Sequence, residues 1–191
     1  CHYMGVRQDN APAFDLNLPQ KGVMQVEDNE KALTIKSGHL SLVIDKENWS
    51  MSYERDGKLL TKSAGRDLAY VKTDWKGEYY SYNGENAYMV QHLGLSVGEL
   101  IYGLGERFTP LVRNGQSVDI WNEDGGTGTE QSYKNIPFYL SNKGYGVFVN
   151  HTEKVSYEVG SEYVTKVAFS VPGEKLDYFV INGPSMKEAL M

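Results

Sequence analysis

From Lys21 onward the chain alternates apolar and polar positions with a period of two, the spacing of strands that bury one face. Ala32–Lys36 sets Leu33 and Ile35 on one side, and His39–Asp45 does the same with Leu40, Leu42 and Ile44. Trp49–Glu54 puts Trp49, Met51 and Tyr53 opposite Ser50, Ser52 and Glu54, and Asp56-Gly57 then supplies the residues a tight hairpin needs at positive φ. Gly22–Glu27 precedes this series, Lys58–Lys62 returns from the hairpin, and Arg66–Lys72 follows. Further on, Tyr88–Leu95, Ile101–Tyr102, Ile136–Ser141, Gly144–His151, Lys154–Val159, Tyr163–Val171 and Glu174–Ile181 read as strands, the last two joined at Pro172-Gly173.

Two stretches fall outside this rhythm. Cys1–Gln20 is interrupted by Pro12 and Pro19, which predicts an irregular lead-in anchored by Phe14. Thr73–Ala87 is polar and glycine-containing, with Trp75, Tyr79, Tyr80 and Tyr82, and reads as a loop or irregular ribbon. At the far end, Ser185 stands three residues before Glu188, the spacing of a capping box, so a helix is expected to start there. Strands without βαβ alternation predict an all-β fold, a two-sheet antiparallel β-sandwich with a short C-terminal helix start. Residues 1–183 are expected to form the sandwich and residues 184–191 to open a linker helix.

Composition narrows the function more than the fold. With 191 residues the chain suffices for one domain with a proper core, and 14 Tyr, 3 Trp and 20 Gly favour strands and tight turns. A net charge of −6 disfavours a sequence-independent grip on nucleic acid, which needs gathered Lys and Arg. The one cysteine, Cys1, allows no internal disulfide and no thiolate zinc site, so no metal or other cofactor is expected and the lean is to a reducing, cytoplasmic setting. No apolar run approaches the ~18 residues of a membrane span. The chain opens on Cys rather than Met, so it is expected to be a piece of a longer protein.

The chemistry concentrates between Tyr102 and Tyr139, where Gly, Asn, Asp, Thr and aromatic residues mix between strand-like flanks. Hydrogen-bonding groups beside aromatic faces on a long loop suit a carbohydrate, with hydroxyls at its edge and C–H groups on its faces. Gly103-Leu104-Gly105 lacks the third glycine of a dinucleotide fingerprint, and Gly126-Thr127-Gly128-Thr129 lacks the lysine of a phosphate loop. Four runs carry a wider likeness: Tyr102–Phe108, Trp121–Thr127, Lys134–Tyr139 and Gly144–Asn150. In this order and spacing they resemble the N-terminal domain of family 31 glycoside hydrolases, nearest to the bacterial α-xylosidase branch.

The resemblance implies a galactose mutarotase-like supersandwich from a retaining α-glycosidase. It also implies that both catalytic aspartates lie on a (β/α)8 barrel following the sandwich, the nucleophile in a Trp-x-Asp-Met-Asn-Glu type motif. That motif is absent here, and Trp121-Asn122-Glu123-Asp124 is not it. The fragment alone is therefore expected to be inactive, its partners being its own barrel and an oligosaccharide with terminal α-xylose or α-glucose. The loop matching Asn122–Thr129 would reach over the barrel mouth, with Asp124 as the substrate contact and Thr127 and Thr129 as lesser candidates. Glu106 and Arg107 are expected to pair and hold the loop base, Lys134 and Asn135 to order its exit, and Tyr133, Phe138 and Tyr139 to pack in the core. An apolar surface facing the barrel would favour self-association.

Two other classes stay open at this point. A stand-alone aldose mutarotase would need a histidine and a glutamate across the sugar ring, and of His2, His39, His92 and His151 only His151, at a strand end, is a candidate. A carbohydrate-binding or structural module would be marked by whether Trp75, Tyr79 and Tyr80 are exposed or buried.

Overall fold

The computed structural model describes residues 22–73, 87–123 and 131–191. The first part of the chain gives β1 (Met24–Asp28), β2 (Ala32–Ser37), β3 (Leu40–Asp45), β4 (Ser50–Arg55) and β5 (Lys58–Ser63). Next come β6 (Leu68–Lys72), β7 (Ala87–Gly94), β8 (Ile101–Gly103) and β9 (Gln116–Ile120). The remainder holds β10 (Phe138–Ser141), β11 (Tyr145–Val149), β12 (Val155–Val159), β13 (Lys166–Pro172), β14 (Tyr178–Asn182) and the helix α1 (Met186–Ala189).

Strands β1 to β5 form an antiparallel meander, each paired with its neighbour in sequence. Asp56 (φ 48°) and Gly57 (φ 75°) close the β4–β5 hairpin with Arg55 opposite Lys58, as their residue types predict. The second sheet has the order β14-β11-β10-β8 and the third β6-β7-β13-β12-β9. All named strand pairs are antiparallel, and the sheets do not close into a barrel; the fold is an antiparallel sandwich.

The core lies where the four-stranded sheet meets both five-stranded ones. Tyr139 of β10 meets Tyr157 of β12 edge-on at 6.3 Å, and Phe169 of β13 meets Tyr178 of β14 at 5.3 Å. Burying each such ring contributes about 1.5–3 kcal/mol, so these contacts weld the sheets. The first sheet joins the third through β5: Thr61 Oγ1 donates to Gly94 O at 2.9 Å, and Gln91 Nε2 to Ser63 Oγ at 2.7 Å.

Three expectations are corrected. Pro172-Gly173 is not a hairpin turn, because β13 and β14 belong to different sheets; residues 173–177 cross between layers with Leu176 fully buried as the anchor. The strand expected from Tyr163 starts at Lys166 and leaves Tyr163 exposed. Strand β9 lies inside the stretch read as loop: Val118 and Ile120 face inward while Ser117 and Asp119 face solvent, a period-two signal that its polar surroundings masked. The helix starts as expected. Ser185 Oγ accepts from Glu188 N–H at 3.3 Å and donates to the Glu188 carboxylate at 2.6 Å, and α1 lies on β10, β11 and β14.

Candidate functional site

The Gly103-Leu104-Gly105 run ends β8 in three consecutive left-handed residues, with φ of 101°, 63° and 83°. Glycine is required at both flanks, since a Cβ on Gly105 would stand 2.0 Å from Lys134 O and one on Gly103 2.7 Å from Phe138 O. Leu104 is held in this costly conformation by its buried side chain and by its N–H, which donates to Phe138 O at 2.8 Å. Glu106 N–H then donates to Lys134 O at 2.9 Å, so residues 103–106 are zipped against 134–138.

On this base stand the two feet of the polar loop. Asn122 and Ser132 form an isolated parallel bridge, Glu123 N–H donates to Ser132 O at 3.2 Å, and Gln131 Nε2 donates to Glu123 Oε2 at 2.5 Å. Asn135 joins both feet: its Nδ2 donates to Trp121 O (2.8 Å), Asn122 Oδ1 (2.9 Å) and Ser132 O (2.7 Å). Its Oδ1 accepts from Arg107 Nη2, and Arg107 also donates to Leu104 O at 3.1 Å and Asp119 O at 2.8 Å. Ser132 Oγ donates to Glu106 O and closes the base from below.

Asp124, Thr127 and Thr129 lie outside the described residues, as do Phe14, Trp75, Tyr79, Tyr80, Tyr82, His2 and Glu130. Lys134 and Asn135 do order the exit of the loop. The carboxylate of Glu106 pairs with Lys134 at 3.1 Å, both exposed, and Arg107 holds the loop base through Leu104 O, Asp119 O and Asn135 Oδ1. Asp119 is bound to Lys154 at 2.5 Å and Ser156 Oγ at 2.6 Å, so Glu106, Asp119 and Glu123 all have structural partners. Tyr139 is in the core, whereas Tyr133 is 65% exposed, against expectation: the preceding side chain, Ser132, is buried in the base, and the ring of Tyr133 points the other way.

Beside the feet opens a cleft of about 390 Å³ lined by Trp121, Asn122, Asn135, Pro137, His151 and Glu153, among others. Trp121 is half exposed on its rim. His151 Nε2 accepts from Asp177 N–H at 3.2 Å, so the ring proton sits on Nδ1 and is donated to Glu153 Oε2 at 3.1 Å. Burial lowers the His151 pKa, outweighing the upward pull of Glu153, and the imidazole is neutral with both nitrogens engaged. Such a ring is a structural strut, not the acid or base of a mutarotase. His39, in the β2–β3 turn of the first sheet, is on Asp56 of the β4–β5 turn, and His92 of the third sheet packs on Tyr163, so the described histidines do not converge.

Residues 4–158 match the family described as Glycosyl hydrolase 31 N-terminal galactose mutarotase-like domain. The chain belongs to glycoside hydrolase family 31. Within family 31, it is 47% identical to an α-xylosidase of Emericella nidulans over 95% of this chain and 25% of that enzyme. It is 42% identical to the α-xylosidase XylQ of Lactiplantibacillus pentosus over 95% of this chain and 23% of that enzyme. The chain thus spans about a quarter of the length of the curated relatives it matches. A family 31 dextranase of Flavobacterium johnsoniae solved with isomaltotriose has the same fold, with a TM-score of 0.76 over 96% of this chain and 21% of that one at 23% identity.

Two parts of this candidate site escaped sequence reasoning. The hub role of Asn135 depends on three separate stretches of chain, at Arg107, at Trp121-Asn122 and at Ser132, and no local pattern announces it. The Glu153–His151–Asp177 link had only a weak signal, a histidine and a glutamate two residues apart after a strand.

Proposed function

We propose that this domain is the non-catalytic N-terminal sandwich of a retaining α-glycosidase of the α-xylosidase type, whose catalytic barrel follows in the intact enzyme. The loop over residues 122–129 brings Asp124 to the sugar near the cleaved bond, with Thr127 and Thr129 as secondary contacts. The observation that carries this reading is the 42–47% identity to two α-xylosidases over 95% of the chain, a span that includes the loop and its base. The clasped feet support it, because they order the residues that flank the loop, Glu123 and Gln131, before any sugar arrives. Exposed Phe108, Trp121, Tyr133 and Ile136 around the base support this face being covered in the intact enzyme, and self-association when it is bare.

The test is Asp124→Ala in the full-length enzyme. Loss of a carboxylate that accepts from sugar hydroxyls lowers kcat/KM on terminal α-xylosides by about 1–3 kcal/mol and shifts the preference between xylose and glucose. Unchanged turnover and unchanged preference would remove Asp124 from the site. The isolated 191-residue chain is expected to be silent against both a chromogenic α-xyloside and glucose mutarotation; acceleration of mutarotation by it would overturn the non-catalytic assignment.

A further inference from the structure

Strand β1 ends the first sheet on one side, and no strand among the described residues pairs with its outer edge. The hydrogen-bond phase shows what that edge offers. Asn29 N–H donates to Ala32 O at 3.0 Å, and Lys46 N–H donates to Lys31 O at 2.8 Å. Carried along the β1–β2 and β2–β3 registers, these bonds assign the even-numbered residues of β2 to β1 and its odd-numbered residues to β3. Gln25 and Glu27 therefore bond inward, and the N–H and C=O groups of Met24, Val26 and Asp28 point out from the edge.

The apolar face of the sheet is also unfinished there. Tyr53, Leu42, Ile35 and Val26 stand opposite one another in a single row across four strands. Tyr53 is 8% exposed, Leu42 and Ile35 are half-buried, and Val26 is 52% exposed. Bulges, prolines and lysines are what usually blunt an open edge. Strand β1 has none of them and runs in unbroken register with β2. Of its two acids, Asp28 is already paired with Lys46.

We infer that β1 is a homodimer edge: a second copy of this chain adds its own β1 antiparallel, about a two-fold axis through Val26, and the two five-stranded sheets become one. In that arrangement Val26 faces the partner's Val26 and Met24 the partner's Asp28, so the three outward residues exchange about six N–H···O bonds. Directly opposed residues share a face, so the apolar row continues across the axis. Charge and length select this register. Glu27 faces the partner's Gln25, whose amide donates to it; a slip of two residues one way sets Glu27 on Glu27, and the other way leaves Asp28 beyond the end of the partner strand. One strand pair is small against the roughly 1,200–2,000 Å² of a standard interface, so the dimer dissociates on dilution.

Sedimentation and single-residue hydrogen exchange of the full-length enzyme between about 1 µM and about 300 µM test this. The amides of Met24, Val26 and Asp28 should slow at least tenfold as the dimer forms, whereas those of Gln25 and Glu27 are protected at the lowest concentration. Val26→Pro removes an N–H that β2 does not use, and should weaken association at least tenfold. Gln25→Glu, a change of one exposed side chain, sets acid against acid and should weaken it without touching the backbone. Adding Glu27→Lys turns those pairs into Glu against Lys and should restore the dimer, a rescue that a merely structural role would not show. Fast exchange of the three outward amides at every concentration overturns the inference. So does protection that does not change with concentration, which would place another segment of the same polypeptide on the edge. Dimers that survive both Val26→Pro and Gln25→Glu would run through another face, such as that of Phe108 and Ile136, and overturn it as well.

Discussion

Tyr53 and Tyr178 meet hydroxyl to hydroxyl at 2.8 Å, joining β4 of the first sheet to β14 of the second. Tyr178 OH donates onward to Gln91 Oε1 at 3.4 Å, so Tyr53 is the donor in the pair, and Gln91 passes the chain to Ser63. A buried polar thread therefore ties all three sheets, and its order predicts unequal costs. Tyr178→Phe strands both the Tyr53 hydroxyl and the Gln91 carbonyl and should destabilise by about 1–3 kcal/mol, whereas Tyr53→Phe, which removes only the terminal donor, should cost about 1 kcal/mol. Urea unfolding of both variants checks the ranking; equal losses would mean the thread is not read in this direction.

Burial raises the hydroxyls of Tyr53, Tyr139, Tyr145, Tyr157 and Tyr178 above the ordinary phenol value of 10.0, with Glu99 adding to the rise at Tyr145. The folded chain keeps these protons where the unfolded chain releases them, so stability is full below pH 10 and falls as pH climbs above it. Tyrosinate absorbance from these rings should appear together with loss of the β circular dichroism signal. Their gradual titration within an intact fold would refute this.

At His151 the sign is opposite. Its pKa is lowered from 6.5 chiefly by burial, so the stability it contributes is present above pH 6.5 and lost as pH falls below, where the unfolded imidazole takes a proton first. The wild type should therefore lose more stability than His151→Gln on crossing to the acid side. Parallel pH profiles for the two proteins would show that His151 is not the sensor.

Gly105→Ala forces a Cβ to within 2.0 Å of Lys134 O at a φ of 83°, where relief requires moving the backbone of the loop base. The expected loss is about 3 kcal/mol or more, read as a lowered denaturation midpoint. Gly57→Ala, with a similar φ of 75° but nothing within 4 Å, should cost less. Equal losses would mean that φ alone matters.

Arg55 donates from Nε to Asn182 Oδ1 at 2.6 Å, from Nη2 to Gly144 O at 2.5 Å and to Gly183 O, and so spans two sheets with one planar fork. Arg55→Lys keeps the charge but not the fork, and should destabilise by about 1–3 kcal/mol. A lysine variant as stable as wild type in thermal melts would show that charge rather than geometry holds the contact.

The sequence by itself determined what is local. Leu33 with Ile35, Leu40 with Leu42 and Ile44, and Asp56-Gly57 specify strands and a hairpin, because side-chain alternation and turn dihedrals depend on neighbours a few residues apart. The four motif runs likewise sufficed to mark the family. Only the tertiary structure decided that β13 and β14 part into different sheets at Pro172, that the Val118 and Ile120 alternation is a paired strand, and that Asn135 gathers Arg107, Trp121, Asn122 and Ser132. The reason is distance along the chain: the amide of Asn135 is no different from any other asparagine until packing of the sheets brings Arg107, 28 residues earlier, to its oxygen.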